Sequence, residues 1–273
     1  MKKTNHRIGI LSCAALLAVS AIGLPQQLAH ANTKRIADAA EVASSLDVRP
    51  LTEGFYYNNK FYKNHSAQKD YSIGARRSAN DNVVLRFEVR GGENAYFDPE
   101  HKDRSEVTTS IRFPKDKVVW NAYRVRIGSG FQVPSDERSW FIIGQWHGDA
   151  NDRRPPYIAV EVQGKDLVFL SRDIASGKPV THEMYRMHDV PRHEWLNIAM
   201  EHKVSATDGL LNIWLNGHQV VKFNGPVGYW DHNDAGYWKF GIYRSRQDTD
   251  AVVEYREVVT TTNDLTARAE MTN

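Results

Sequence analysis

From about Leu51 onward the chain alternates apolar and polar positions with period two, the spacing of a strand with one buried face. Residues 83–89 (VVLRFEV) and 122–127 (AYRVRI) carry the β-branched and aromatic composition that strands favour. Two pairs of such runs are joined by turn signals. Residues 157–162 and 167–170 flank Gln163-Gly164-Lys165-Asp166, and residues 211–215 and 219–223 flank Asn216-Gly217, a strong hairpin signal. Residues 237–243 and 252–259 complete the series. With no sustained helical period between these runs, the pattern predicts an antiparallel β-sandwich. The exception comes early. Ile36, Ala39, Ala40, Ala43 and Leu46 stand near helical spacing, so residues 32–50 are read as a short helix or an arm ahead of one large domain spanning 51–273.

The first 31 residues have another pattern. Lys2, Lys3 and Arg7 precede an apolar stretch from Ile8 to Leu24, and Ala29-His30-Ala31 supplies small residues at a cleavage position. This predicts a secretory signal peptide over 1–31, hence export to the periplasm or medium and no membrane attachment after cleavage. The whole chain of 273 residues carries 35 Lys+Arg against 33 Asp+Glu, a formal charge of +2. Cleavage would remove three basic residues and no acidic one, leaving 32 against 33, or −1. A near-neutral chain is not expected to bind nucleic acid through a broadly basic surface. Cleavage would also remove Cys13, the only cysteine, so a core rather than disulfides must hold the mature protein together.

Several chemistries lack their signature. There is no P-loop, dinucleotide-binding glycine fingerprint or nucleophile elbow. His182-Glu183 and His193-Glu194 begin like a zinc-protease motif but lack the second histidine. Aspartates at Asp149, Asp152, Asp248 and Asp250 follow no calcium-loop spacing. Calcium could bind at these aspartates, but nothing in their spacing supports it, and no cofactor motif is present.

Three strand-like segments place polar groups on one face. In RSEV (104–107), Arg104 and Glu106 share a side. In QWH (145–147), Gln145 and His147 oppose Trp146. In YWKFGIY (237–243), Tyr237, Lys239 and Tyr243 oppose Trp238, Phe240 and Ile242, and Gly241 is expected to leave room for a ligand. In this order the segments resemble the jelly-roll polysaccharide lyases. RSEVT and YWKFGIY are similar to the alginate lyase pattern, and QWH followed by Gly148, with Lys239 and Tyr243 four apart, is similar to the heparin lyase I and glucuronan lyase group. Thr108 and Phe240 depart from the alginate lyase pattern, which usually has Arg and Ala there, and this weakens alginate as the particular substrate.

The resemblance implies an all-β jelly roll of two antiparallel sheets with a concave groove, acting on an anionic polysaccharide and expected to be monomeric. It implies cleavage of a 4-linked uronate polymer by β-elimination, leaving a C4–C5 double bond. Such chemistry must stabilise the negative charge that develops on the substrate carboxylate when the C5 proton leaves. The resemblance assigns this to Arg104 and Gln145, with His147 as a further donor. Tyr243 would serve as acid and base if proton and leaving group depart from one face of the ring. If they depart from opposite faces, His147 would be the base and Tyr243 the acid. Lys239 and Tyr237 would hold the polymer, with Glu106 orienting Arg104. Tyr56, Tyr57, Arg124, Arg126, Arg153 and Arg154 are additional groove candidates. Two other readings use the same face: a non-catalytic, lectin-like module, and a glycoside hydrolase, which would need two essential carboxylates.

Overall fold

In a computed structural model, residues 54–77, 83–128, 139–148, 153–231 and 236–272 are described. The predicted signal peptide and N-terminal arm lie outside them, as do Asp149 and Asp152.

Two antiparallel sheets pack face to face as a jelly roll. The front sheet is formed by β1 (Phe55–Tyr57), β2 (Lys60–Ser66), β5 (Lys102–Thr109), β7 (Phe141–His147), β8 (Ile158–Gln163), β9 (Asp166–Ala175), β10 (Lys178–Met187) and β14 (Tyr237–Ser245). The back sheet contains β3 (Ile73–Arg77), β4 (Val83–Val89), β6 (Val119–Ile127), β11 (Trp195–Lys203), β12 (Leu210–Leu215), β13 (His218–Asn224) and β15 (Ala251–Thr261). The front order is β1-β2-β5-β14-β7-β8-β9-β10, and the back order is β13-β12-β11-β6-β15-β4-β3. One short helix, α1 (Thr266–Ala269), follows.

The period-two pattern explains these layers. Inward side chains of both sheets form one core in which Trp146, Trp238, Phe240, Phe87, Tyr123 and Tyr255 are fully buried. Trp238 packs on Tyr123 with ring centroids 5.5 Å apart, and the Tyr255 hydroxyl donates to the Ile143 carbonyl across the sandwich. Both predicted hairpins form. Asn216 (φ 50°) and Gly217 (φ 83°) take the left-handed turn that joins β12 to β13 without splaying them.

Strand β10 was not apparent from the sequence. KPVTHEMYRM has few apolar residues because it is an edge strand, paired only to β9 and largely accessible on both faces.

Three expectations change. Arg124 and Arg126 lie on the outer face of the back sheet, because β6 pairs with β11 and β15 rather than with the front strands. Tyr57 belongs to the core, while Tyr56, its neighbour, is exposed at the front edge. Gly241 leaves no vacancy. It has φ 128°, and a Cβ there would meet the β5 backbone, with the Glu106 Cα at 2.8 Å, and the Phe87 ring at 2.8 Å. Its glycine serves the bulge where β14 slips by one residue against β7 between Phe240 and Tyr243.

Candidate active site

Strand order makes β5, β14 and β7 consecutive neighbours, bringing together three segments widely separated in sequence. Register sets Tyr243 opposite Arg104, Gly241 opposite Glu106, and Lys239 between Thr108 and Gln145. On the core side, Asp103 and Arg244 are also opposite each other and form a fully buried ion pair at 3.0 Å. That pair pins the register from beneath, directly next to Arg104 and Tyr243.

Glu106 is the centre of the outer-face network. Its carboxylate accepts from Arg104 Nη1 at 2.6 Å and Lys239 Nζ at 2.7 Å, and from the Gln145 side-chain amide. Burial would raise the Glu106 pKa, but the charges of Lys239 and Arg104 and the hydrogen bonds from Lys239 and Gln145 outweigh it and hold it at about 2. Lys239 is lowered to about 8, first by burial and then by repulsion from Arg104, against the pull of Glu106. Glu106 is therefore a permanent carboxylate, poorly suited to act as the general acid of a hydrolase.

Arg104 is clamped on two sides. Its other N–H groups form a fork with Asp98, including Nη2 to Oδ1 at 3.0 Å. Its guanidinium lies 3.5 Å from the centroid of the Tyr243 ring. Lys102 and Lys239 place ammonium groups 5.6 and 5.8 Å from the same ring, and Trp140 packs against it at 4.3 Å. Tyr243 is thus a partly exposed phenol whose ring is flanked by three cations.

The predicted residues divide into two groups. Arg104, Glu106, Gln145, Lys239 and Tyr243 form one connected cluster. His147 and Tyr237 pair at the opposite end of β14, with ring centroids 5.7 Å apart and Arg112 3.9 Å over the Tyr237 ring. Tyr237 and Tyr243 are six positions apart along β14, ~20 Å of backbone at ~3.3 Å per residue. Arg104, Glu106, Gln145 and Lys239 are all buried, so Tyr243 and His147 offer the more accessible chemistry.

A second histidine was missed. His65 on β2 stands opposite Glu106 and packs edge-on against Phe97 at 4.8 Å. Burial lowers its pKa to about 4, helped by Lys239, Arg104 and Lys63 and opposed by Glu106. It is a neutral imidazole at ordinary pH, with no hydrogen-bond partner on Nδ1. The alternation in KFYKNHS puts His65 on the polar side of a strand, but nothing in the sequence says that this strand pairs with β5. Asp98 was missed as well, since its loop position becomes meaningful only when the chain folds back on Arg104. Among the described residues, no group of three or more His, Cys, Asp or Glu is placed to hold a metal ion.

A family model described as "Polysaccharide lyase" matches residues 53–260, which includes every residue of this site. The chain belongs to that polysaccharide lyase family. No curated protein matches the lyase by sequence. Among solved structures it is similar to the endo-β-1,4-glucuronan lyase from the fungus Trichoderma reesei, at 14% identity and a TM-score of 0.52 over 74% of this chain and 87% of that one. It is also similar to a family 7 alginate lyase in complex with product, at 14% identity and a TM-score of 0.50 over 68% and 82%. The binding domain of Paraclostridial Mosquitocidal Protein 1 gives 10% identity and a TM-score of 0.50 over 78% and 47%. At these identities the likeness is one of fold, and the fold alone serves binding as well as catalysis.

Proposed function

We propose that this lyase is exported and cleaves a 4-linked, uronate-containing polysaccharide by β-elimination, leaving a C4–C5 unsaturated uronate. The observation that carries this reading is the setting of Tyr243, a partly exposed phenol stacked on Arg104 and within reach of two ammonium groups. Removal of the C5 proton leaves negative charge on the substrate carboxylate, and fixed cations already aimed at that charge lower the barrier without reorganising. Arg104 and Lys239 supply it from below, each oriented by Glu106, while Gln145 completes the set.

Tyr243 gives its proton to the departing O4. The base that takes the C5 proton is Tyr243 itself, as phenolate, in a same-face elimination. In an opposite-face elimination it is a neutral histidine. His147 was the expected group, and His65 stands opposite Glu106 on the neighbouring strand. Lys102 on β5, beside β14, and Lys63 on β2, one strand further out, supply further positive charge along the path of an anionic polymer. Glucuronan, heparin-like and alginate-like polymers all satisfy this chemistry. Export rests on the basic, apolar and small-residue order of residues 1–31.

The test is a panel of uronate polymers monitored for ultraviolet absorbance of the new double bond. Tyr243→Phe is expected to abolish that signal while polymer binding persists. Reducing ends without the absorbance would indicate hydrolysis, and near-normal turnover in the variant would remove Tyr243 from the mechanism. His65→Gln and His147→Gln, compared on the same substrate, decide which histidine takes part.

A further inference from the structure

The outer face of the back sheet carries charge that the front-face chemistry does not use. Among the described residues, Arg124 and Arg126 of β6, Arg256 of β15, Arg76 of β3 and Arg268 of α1 converge on two carboxylates. Glu254 pairs with Arg76 and Arg126. Glu257, at φ 55° where the register of β15 shifts, meets Arg268 at 3.2 Å, Arg124 at 3.4 Å and Arg256 at 3.7 Å. Among these seven residues, five guanidiniums against two carboxylates leave a formal excess of three positive charges.

The placement works against the sheet. Arg256 stands directly opposite Arg124 in the β6–β15 ladder, and like charges at directly opposed positions destabilise a strand pair. Burial and the neighbouring arginines hold the Arg256 and Arg268 guanidiniums below their ordinary pKa, against the opposing pull of Glu257. Trp195 keeps two of the cations in place, with Arg256 4.4 Å and Arg126 5.1 Å from its ring centroid. Planar forks fixed in this way lose little freedom when they grip a carboxylate. Beside them, Arg126, Gly128, His193, Val252 and Glu254 line a cavity of about 210 Å³. That is below the ~300 Å³ at which pockets for drug-sized ligands begin, and is suited to a single sugar-sized group.

We infer that this arginine–tryptophan patch is a second, non-catalytic binding site for an anionic polysaccharide chain, gripping its carboxylates on the face opposite the cleavage site. The inference rests on the proposed uronate substrate, because a polymer long enough to be cut on one face can be held on the other. The carboxylate of such a chain adds a second counter-charge, beside Glu257, to the opposed Arg124 and Arg256.

The test uses the full-length protein and a polymer that the wild type is shown to cleave. If no uronate polymer yields the double bond, the functional reading fails before this inference is reached. With a cleaved polymer, Arg124→Gln/Arg256→Gln is expected to raise the KM for long chains severalfold and to leave kcat/KM on short oligosaccharides unchanged. It is also expected to reduce retardation in polymer-containing gels when both substitutions are placed in a Tyr243→Phe background, and to melt at or above the wild-type temperature. Unchanged retardation and KM overturn the proposal. Equal retardation of the wild type by duplex DNA at matched charge overturns the polysaccharide assignment. If the double variant melts lower, Arg76→Gln, whose side chain is half exposed, decides alone: weakened retardation supports the site, and unchanged retardation overturns it.

Discussion

Replacing Glu106 with Gln keeps the shape of the side chain but removes the charge on which Arg104, Lys239 and Gln145 converge. The magnitude follows from two routes. The fall in the Glu106 pKa from 4.5 to about 2 corresponds to about 3 kcal/mol of stabilisation of the charged form in the fold. Removing one member of a buried ion pair costs about 3–5 kcal/mol, because the partner is left buried and uncompensated. The lower figure is the better guide, since Lys239, already lowered to about 8, can shed its proton rather than remain charged beside a neutral amide. Because the folded pKa lies below the unfolded one, this contribution is complete above about pH 4.5 and is lost as the pH falls toward about 2. Urea unfolding of the wild type and Glu106→Gln at a series of pH values measures it. The difference is expected near 3 kcal/mol at pH 7 and to shrink steadily below about pH 4.5. A gap that stays constant on acidification would show that Glu106 acts through packing and not through charge.

Other outcomes follow from the same geometry. The alkaline limb of kcat/KM is expected near pH 8, where Lys239 loses its charge, and Lys239→Arg should move that limb upward; an unmoved limb assigns it to another group. Gly241→Ala should cost on the order of 2–3 kcal/mol in thermal or urea unfolding, because φ 128° and contacts at 2.8 Å leave no room for a Cβ. Arg244→Met should cost about 3–5 kcal/mol by stranding Asp103, and Asp103→Leu added to it should recover most of the loss in the urea midpoint.

Much of the fold was legible in the sequence. Alternation marked which side chains of RSEV, QWH and YWKFGIY face the core, and Val107, Trp146, Trp238, Phe240 and Ile242 are all buried there. Asn216-Gly217 named its own hairpin, since turn chemistry is local. These features depend on residues next to one another in the chain.

What depends on pairing was not legible. Period two says that a strand has two faces, but not which sheet it joins. Arg124 and Arg126 were therefore candidates for the groove or for ordinary surface, and the place of β6 between β11 and β15 puts them on the outer surface of the back sheet. The histidine opposite Glu106 comes from β2, some forty residues away, and Asp98 reaches Arg104 only through the loop that precedes β5. Gly241 looked like open space because its Cβ direction follows from φ, which alternation does not encode. The sequence by itself determined the residue types that can stabilise developing negative charge and move a proton. The tertiary structure decided which of them share a cluster, because backbone hydrogen bonds between distant strands, and not spacing along the chain, set the distances between their side chains.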